Sequence, residues 1–535
     1  MKSLICLFFI LLSCETEVDL IVYNTKIYNL DSTKVIANSI AIKDKIITQI
    51  GTDLNQKLTS GELKDAQGKT LLPGFNDAHA HMIGAGLTMQ KVDLSKCRTK
   101  NETLKVISDR VKKTKKGEWI TGRGWNHEFW EDNSWPTASE LDAITTEHPI
   151  YVRRVDGHSG WANSLALKLA GVTNDTKDPQ GGAIRRDKKG IATGVVIDAA
   201  ENIISNIIPE DSDDKLIKAV LDAQKHVLKR GITSITSIGN ERNFEIFRTL
   251  LNENKLKVRV NFVPDYKDTL QNFTIEQPER LNVQFVKVYM DGSLGSRSAW
   301  LNHPYSDEPS TTGLPQFSDA ELIHKINTIK SYNLEPMIHA IGDKGNQHLL
   351  EIYNEYIKTN KLVKSRFRIE HAQILNEKCY SLFSEGNIIA SMQPKHCISD
   401  MLWAENRIGK ERAKFAYPWK TIIDKKIKIA FGTDWPIEPV DPVFGIYGAV
   451  TRQFMEDSIL NEGWIPEQKI SVFEAIKAYT EGSAYSEYME DEKGKIKVGQ
   501  FADFILIDKN IFEINPIEIK TISVTDTYIG GVKVY

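Results

Sequence analysis

Cysteine is scarce in this chain, and net charge is nearly absent. Five cysteines are spread over 535 residues, and 68 basic residues face 71 acidic ones. Beyond the N-terminus only Cys97, Cys379 and Cys397 remain, an odd number with no CxxC pair, which argues against a disulfide framework and a cysteine-rich zinc site. Because no basic excess is clustered along the chain, we expect no nucleic-acid partner.

A long hydrophobic run is also missing. The apolar stretch 4–12 is too short for a membrane-spanning helix, which needs about 20 residues. After Met1-Lys2-Ser3 it has the form of a secretory signal, and Leu11-Leu12-Ser13-Cys14 resembles the bacterial lipobox. We therefore expect a signal peptide over 1–13, a lipid on Cys14, and a membrane-anchored lipoprotein of the cell envelope, on the periplasmic side or at the cell surface. An ordinary signal peptide with an incidental cysteine is the alternative.

Both ends of the chain have β character, whereas the middle alternates strand and helix. Short strand-like segments separated by turn residues fill 18–70 and 495–535, and we expect these regions to form one small β-sandwich. Between them, residues 71–494 contain eight apolar strand-like runs, helical periodicity over 213–230 and a capping box at 318–321. The runs lie at Leu71, Gly231, 258–263, 285–290, 336–339, 367–370, 388–392 and 427–431. This pattern predicts an α/β fold with a (β/α)8 TIM-like barrel.

One region departs from the alternation. Residues 97–208 hold half of the ten tryptophans, namely Trp119, Trp125, Trp130, Trp135 and Trp161. We interpret this region as an insertion after the first barrel strand. Two roles stay open for it, a small packed subdomain and a roof over a substrate pocket, because ligand sites of barrels lie among the loops at the carboxyl ends of the strands.

The strongest chemical signal is Gly74-Phe75-Asn76-Asp77-Ala78-His79-Ala80-His81, which follows the apolar Leu71-Leu72-Pro73. Alternate residues of a strand point to one face, so His79 and His81 present two imidazoles at the carboxyl end of a strand. His339, His371 and Asp434 also end apolar strand-like runs. Four imidazoles and a carboxylate that converge above one barrel predict a site for zinc or a related divalent ion.

These residues belong to a set of motifs that resembles the amidohydrolase superfamily, specifically its family 3, the branch similar to N-substituted formamide deformylases. The resemblance covers nearly all of the chain after the signal. The segments that carry it are 72–81, 122–125, 156–158, 287–297, 431–436 and 499–503. The family often has Ser where Thr433 stands, and Asp or His where Asn76 stands; neither position is a ligand.

The resemblance implies roles for single residues. His79 and His81 are expected to bind the more buried ion, and His339 and His371 the other. Lys287 is expected to be carbamylated by carbon dioxide and to bridge two ions. Asp434 is expected to ligate metal and to act as general base, with His371 as a second catalytic residue. An unmodified Lys287 in a salt bridge, for example with Asp291, is the alternative, so one and two ions both stay open.

Three further residues are candidates for substrate contact. His158, in Arg154-Val155-Asp156-Gly157-His158 of the insertion, reaches the substrate or is structural. Arg297 and Asp291 follow Lys287 in the chain. Arg297 holds an anionic group of the substrate or pairs with a carboxylate, and the sequence does not separate these roles.

The resemblance and the ligand set together predict a hydrolase that acts on a C–N bond other than a peptide bond. We expect a small-molecule substrate with an N-formyl, N-acyl or cyclic amide group, attacked by a metal-activated water. A deaminase of a cyclic amidine on the same fold is one alternative, and a non-catalytic, ligand-binding surface lipoprotein is a rival of another class. The oligomeric state stays open between a monomer and a homodimer.

Overall fold

The computed structural model describes residues 17–154, 159–179, 182–455 and 462–535. The signal segment 1–13, Cys14 and His158 lie outside these residues. The chain divides into two compact units, the first made of Met1–Ala85 with Val220–Tyr535 and the second of Gly86–Ala219. Among the described residues, no helix is both long enough and apolar enough to cross a bilayer.

The first unit opens with a small β layer. Its strands are β1 (Val18–Tyr23), β2 (Lys26–Ile27), β3 (Ser39–Lys43), β4 (Ile46–Gly51), β5 (Ser60–Asp65) and β6 (Thr70–Pro73). Strands β4, β3, β1 and β5 form one sheet in that order. Asp44 and Lys45 join β3 to β4 with φ angles of 50° and 72°, the conformation that a two-residue type I′ hairpin requires.

The chain enters the α/β body at β7 (Phe75–Ala80), which is followed by α1 (Met82–Gln90). The prediction that the first strand of this body lies at Leu71 is wrong, because β6 pairs with residues 504–507 of the terminal β layer. Gly74 separates the two strands, and a Cβ there would lie 2.3 Å from the side chain of Thr233. The absence of a side chain lets the backbone pass from one sheet to the other at this point.

The second unit is built on one sheet, with strands in the order β12-β13-β11-β10-β9-β8. Its elements are β8 (Val92–Asp93), α2 (Lys100–Val111), β9 (Ile120–Trp125), α3 (Ala138–Asp142), β10 (Ile150–Arg154), β11 (Ser159–Ala162), α4 (Ser164–Leu169), β12 (Gly182–Arg186), β13 (Ala192–Asp198) and α5 (Glu201–Ser205). Apolar clusters cover both faces, with Ile150 and Val152 in one and Tyr151 in the other. Trp125 and Trp161 are fully buried in the first cluster, so these tryptophans form the core of the unit.

The remainder of the first unit alternates parallel strands and helices. The elements are α6 (Asp213–Leu228), β14 (Ile232–Gly239), α7 (Glu241–Asn252), β15 (Arg259–Pro264), β16 (Leu281–Val283), β17 (Phe285–Tyr289), α8 (Asp319–Ser331), β18 (Glu335–Ala340), α9 (Asp343–Thr359), β19 (Arg368–His371), α10 (Glu377–Gly386), β20 (Ile389–Met392), α11 (Pro394–Asp400), α12 (Ala404–Ala413), α13 (Trp419–Asp424), β21 (Ile429–Phe431), α14 (Pro442–Thr451), α15 (Val472–Lys477) and α16 (Ser483–Tyr485). The predicted capping box is confirmed, since Ser318 and Glu321 cap α8 reciprocally.

Two parallel sheets carry this alternation. One has the order β16-β15-β14-β7, and the other has the order β17-β18-β19-β20-β21. Single parallel bridges join Asp265 to Lys287 and Ala80 to Trp435. The strands are buried over nearly their whole length, as expected for parallel strands that are covered on both faces. The architecture is therefore mixed α/β.

The chain returns to the β layer at its C-terminus, with β22 (Phe504–Ile507), β23 (Val524–Ile529) and β24 (Val532–Lys533). These strands complete a second sheet of order β2-β6-β22-β23-β24. One apolar cluster contains Leu20 and Ile42 of the first sheet together with Leu71, Phe504 and Tyr528 of the second. Residues from both ends of the chain therefore share one core.

Candidate metal centre

The candidate site lies at the carboxyl ends of the parallel strands. His79 is in β7, His81 follows that strand, His339 is in β18, His371 ends β19, and Asp434 comes shortly after β21. Parallel pairing places Tyr289 beside His339 and Ala340 beside His371, so neighbouring strands end at the same edge. Side chains at this edge can meet although they are far apart in the sequence.

The four predicted imidazoles meet in one cluster. The ring centroids of His79 and His81 are 5.7 Å apart, those of His79 and His371 5.1 Å, and those of His339 and His371 4.5 Å. Burial lowers the pKa of His79 to about 4 and that of His339 to about 3, and it also lowers the pKa of His371. These three rings are therefore neutral at pH 7, the form that binds a metal ion.

Asp434 supplies the carboxylate of the cluster. Its Oδ1 lies 3.5 Å from His79 Nε2 and 3.3 Å from His81 Nε2. Ligand atoms around a tetrahedral ion with bonds of about 2.0–2.1 Å are separated by about 3.3 Å, so these atoms have ligand spacing. Burial alone would raise the pKa of Asp434, but the electrostatic effect of the neighbouring His79 ring, a hydrogen bond from His81 and the nearby His371 ring lower it well below its usual value, and the carboxyl group is ionised.

Backbone strain accompanies two of these residues. His371 has φ 74° and Asp434 has φ 57°, both in the left-handed region. Such conformations cost on the order of 1–3 kcal/mol each in non-glycine residues and collect at functional sites. The surrounding strands therefore hold these two side chains in an orientation that the local backbone does not prefer.

Two of the imidazoles are held at their Nδ1 atoms by residues that sequence reasoning did not assign to the site. Glu370 Oε2 lies 2.5 Å from His79 Nδ1, and Gln393 Oε1 lies 2.7 Å from His371 Nδ1. Each contact leaves the Nε2 atom of the ring for a ligand. Arg368 donates from Nε to Glu370 Oε1 at 3.0 Å, and both side chains are fully buried. The available signal was the pair of opposite charges at 368 and 370 in a strand that follows the apolar Phe367 and ends at His371, since buried charges need partners.

Lys287 contributes a buried amine to the site. Its side chain is buried, and Nζ has no hydrogen-bond partner among the described residues. Burial lowers the pKa of Lys287 to about 8. Lys287 Nζ forms no salt bridge to Asp291, the alternative that the sequence left open. Asp291 instead accepts hydrogen bonds from the backbone N–H groups of Trp300, Ile341 and Gly342 at 2.8–2.9 Å.

The structure gives a different result for each of the three residues that the sequence offers as substrate contacts. The three backbone hydrogen bonds of Asp291 favour a structural role over a substrate contact. Arg297 donates from Nε and Nη2 to the two carboxylate oxygens of Asp307, at 3.2 and 3.0 Å, and this is the carboxylate pairing that the sequence left open. His158 lies outside the described residues.

A fifth imidazole, which sequence reasoning missed, belongs to His396 in the first turn of α11. Its Nε2 lies 3.5 Å from Asp434 Oδ2, and its ring is nearly parallel to that of His371, with 6.0 Å between centroids. The ligand atoms of His371, His396 and Asp434 all lie within 4.8 Å of one another, as do those of His79, His81 and Asp434. The signal for His396 was Gln393-Pro394-Lys395-His396 directly after a buried strand, the position of the other site residues.

The residues present fit a divalent ion. Imidazole nitrogens and an ionised carboxylate are the donors that zinc and related ions take. The buried, unpartnered Nζ of Lys287 is near the same cluster, since the charges of Glu370 and Asp434 both act on its pKa. A carbamate on this nitrogen would turn an unsatisfied buried amine into an anionic oxygen donor, so this observation also agrees with a metal centre.

Comparison with known proteins agrees with the site. The family profile described as "Amidohydrolase family" matches residues 62–535. The protein LONG AFTER FAR-RED 3 of Arabidopsis thaliana is 34% identical over 541 residues, covering 97% of this chain and 91% of that protein. An N-substituted formamide deformylase of Arthrobacter pascens is 24% identical over 543 residues, covering 97% and 98%. The crystal structure of an uncharacterized metal-dependent hydrolase from Pyrococcus furiosus superposes with a TM-score of 0.76 at 28% identity, covering 92% of this chain and 100% of the other.

Proposed function

The chain belongs to the amidohydrolase family, and on this premise we propose that it is a metal-dependent hydrolase that cleaves an amide-type C–N bond in a small molecule. The observation that carries the proposal is the cluster of histidines around the ionised Asp434, of which His79 and His371 are buried, with the unpartnered Lys287 amine nearby. A fold kept only for ligand binding has no need for buried, neutral imidazoles at ligand spacing from a carboxylate. The non-catalytic alternative is therefore disfavoured.

We assign the ligands as the resemblance implies. His79, His81 and Asp434 would hold one ion, and His339 and His371 would hold a second. Lys287, as a carbamate, would connect the two. Zinc is the ion we expect from these donors. When bound, such an ion lowers the pKa of water and polarises a carbonyl group.

The residues of the chain do the rest of the chemistry. Asp434, ionised in the buried site, takes a proton from the attacking water at Oδ2, whereas Oδ1 is the oxygen that contacts His79 and His81. A C–O bond forms as the C–N bond breaks, and Asp434 returns the proton to the leaving nitrogen. One water and one amide give one carboxylic acid, which releases its proton at neutral pH to become a carboxylate, and one amine. Glu370 and Gln393 keep His79 and His371 from rotating during this exchange.

The relatives indicate the general class of the substrate. We propose N-formyl or N-acyl amines first, because a relative that spans almost the whole chain is an N-substituted formamide deformylase. Cyclic amides come next. A cyclic amidine would release ammonia instead of forming a new carboxylate, so product analysis separates the deaminase alternative.

We also propose that the two parallel sheets close into the eight-stranded barrel expected for the family, in which β16 and β17, separated by one residue, count as one strand. The support is the order of the strands and the two parallel bridges that link the sheets, Asp265 with Lys287 and Ala80 with Trp435. The membrane-anchored location stays a proposal that rests on the sequence Leu11-Leu12-Ser13-Cys14.

The test combines metal analysis with a substrate panel. Protein reconstituted with zinc is assayed against N-formyl, N-acyl, cyclic amide, cyclic amidine and ester substrates, and the products are identified as carboxylate, amine or ammonia. The proposal expects at least one bound ion per chain and turnover of an amide. A fully metal-loaded protein that hydrolyses none of these classes would contradict it.

A further inference from the structure

His396 has a place in the site that the proposed ligand set does not use. Helix α11 begins at Pro394, directly after β20, and puts His396 in its first turn. The Nε2 atom is buried and makes no hydrogen bond within the described residues, although Asp434 Oδ2 is 3.5 Å away. A buried ring nitrogen without a partner is unfavourable unless another molecule satisfies it.

The two oxygens of Asp434 face different neighbours. Oδ1 lies near His79 Nε2 and His81 Nε2, whereas Oδ2 lies near His396 Nε2. The ligand atoms of His371, His396 and Asp434 also lie within 4.8 Å of one another. His396 Nε2 contacts Oδ2, the oxygen to which we assign proton transfer.

Contacts on both sides of His396 fix its position. Gln393, the N-cap of α11, is bound to His371 through its side chain at 2.7 Å. Asp400, one turn beyond His396, accepts hydrogen bonds from Gln373 at 2.8 Å and Tyr417 at 2.5 Å. The helix that carries His396 is thus held at its start by the residue that orients His371, and at its end by two buried side chains.

The number of other proposed metal ligands indicates that the Nε2 atom of His396 serves the substrate rather than a metal ion. His79, His81, His339, His371, Asp434 and a modified Lys287 already provide ligands for two ions. We propose that His396 is a substrate-contacting residue whose Nε2–H donates a hydrogen bond to the leaving nitrogen, beside Asp434 Oδ2. This proposal deepens the proposed function and rests on it.

The chemistry of C–N cleavage explains the use of such a donor. As the C–N bond breaks, the nitrogen gains a lone pair that the planar amide does not offer, and it becomes a better hydrogen-bond acceptor. The interaction is therefore stronger in the transition state than with the bound amide, and such an interaction raises kcat rather than lowering KM. His396 forms no covalent bond. Asp434 gives its proton to the lone pair that the nitrogen has in the tetrahedral intermediate, and the N–H of His396 interacts with the electron pair that the breaking C–N bond leaves on the nitrogen.

The experiment uses full-length zinc-loaded protein and a series of formanilides with para substituents from nitro to methoxy. The variant His396→Phe keeps a ring and removes the donor, and His396→Gln keeps an N–H donor. His324→Phe and His324→Gln on the exposed face of α8 are the matched controls. Loss of one hydrogen bond should lower kcat/KM by about tenfold, mainly through kcat. The loss should be larger for methoxy, the poorer leaving group, than for nitro, and His396→Gln should recover part of it.

A second readout does not depend on turnover. N-phenylphosphoramidate, which carries the aniline nitrogen on a tetrahedral phosphoryl group, should bind His396→Phe about tenfold more weakly than the wild type in calorimetry. The zinc content of the two proteins should be equal.

The outcomes separate the two proposals. If the wild type hydrolyses formanilides and His396→Phe keeps its rate, its leaving-group dependence and its affinity for the phosphoramidate, the assignment of His396 is wrong while the function stands. A loss of bound zinc in His396→Phe makes His396 a metal ligand and also overturns the assignment. If the zinc-loaded wild type neither hydrolyses nor binds these compounds, the formamide activity fails, and the role of His396 fails with it.

Discussion

Glu370 and His79 form a contact of 2.5 Å between two fully buried side chains that are 291 positions apart in the sequence. The partner of Glu370 on its other oxygen is Arg368, two residues earlier in the same strand. Burial would raise the pKa of Glu370, but the charge of Arg368 and the hydrogen bond to His79 lower it to about 2. A fixed negative charge therefore stands behind the imidazole and makes it a stronger ligand.

The first prediction concerns this contact. Glu370→Gln keeps the shape of the side chain and removes its charge, and removal of such a partner typically costs about 10–100-fold in metal affinity. Competition with a zinc chelator measures the effect. Glu385→Gln on the surface of α10 is the control. Because Arg368 also loses its ion pair, thermal unfolding is followed in parallel, and a folded variant with wild-type zinc affinity would contradict the role of Glu370.

The second prediction concerns proton transfer. Asp434→Asn keeps the side-chain volume and removes the proton acceptor, so we expect turnover to fall about 10²–10⁴-fold. Metal content is measured in the same preparation, because Asp434 is also a proposed ligand. A variant with near wild-type turnover removes Asp434 from the mechanism.

The third prediction concerns Lys287. Burial lowers the pKa of Lys287 to about 8, so a fraction of the amine is neutral near pH 7 and able to react with carbon dioxide. Reconstitution of metal-free protein should be faster with added bicarbonate. Lys287→Ala should lose activity, and a short carboxylic acid should restore part of it by taking the place of the carbamate. An unmodified Lys287 in fully active, metal-loaded protein, shown by intact mass, would leave a single-metal mechanism.

A fourth prediction concerns Gly74, where the chain leaves strand β6 of one sheet and enters strand β7 of another. A Cβ there would lie 2.3 Å from Thr233, so Gly74→Ala should destabilise the protein by about 1–3 kcal/mol, as overpacking does. Thr233→Ala in the same chain should return part of this loss. The control is Gly84→Ala, where the nearest atom is His81 Cβ at 3.8 Å. Chemical denaturation measures all of these variants, and equal stability of Gly74→Ala and the wild type would contradict the prediction.

The fifth prediction concerns the anchor, which lies outside the described residues. Cys14→Ser should remove lipidation, leaving either an uncleaved signal or a released protein. Labelling with a fatty acid and fractionation of cells measure this, and Cys6→Ser within the same signal is the matched control. If Cys14→Ser still partitions with membranes and the mature N-terminus is not residue 14, the lipoprotein interpretation is wrong.

The sequence by itself determined which donor residues end the strands at the candidate centre, and the local elements that carry them. The alternation of His79 and His81, the positions of His339, His371 and Asp434 after apolar runs, and the reciprocal cap of Ser318 and Glu321 are all local patterns. Such patterns reflect backbone geometry, which the neighbouring residues alone specify. This is why the elements and the donor set could be predicted before any contact was known.

Only the tertiary structure decided which polar residues face one another. The contacts of Glu370 with His79, Gln393 with His371 and His396 with Asp434 each join separate strands or loops. The same holds for Asp291 and Arg297, whose partners were open until the backbone of 341–342 and Asp307 were placed beside them. The physical reason is that strand order and register bring distant residues together, and neither leaves a periodicity in the sequence.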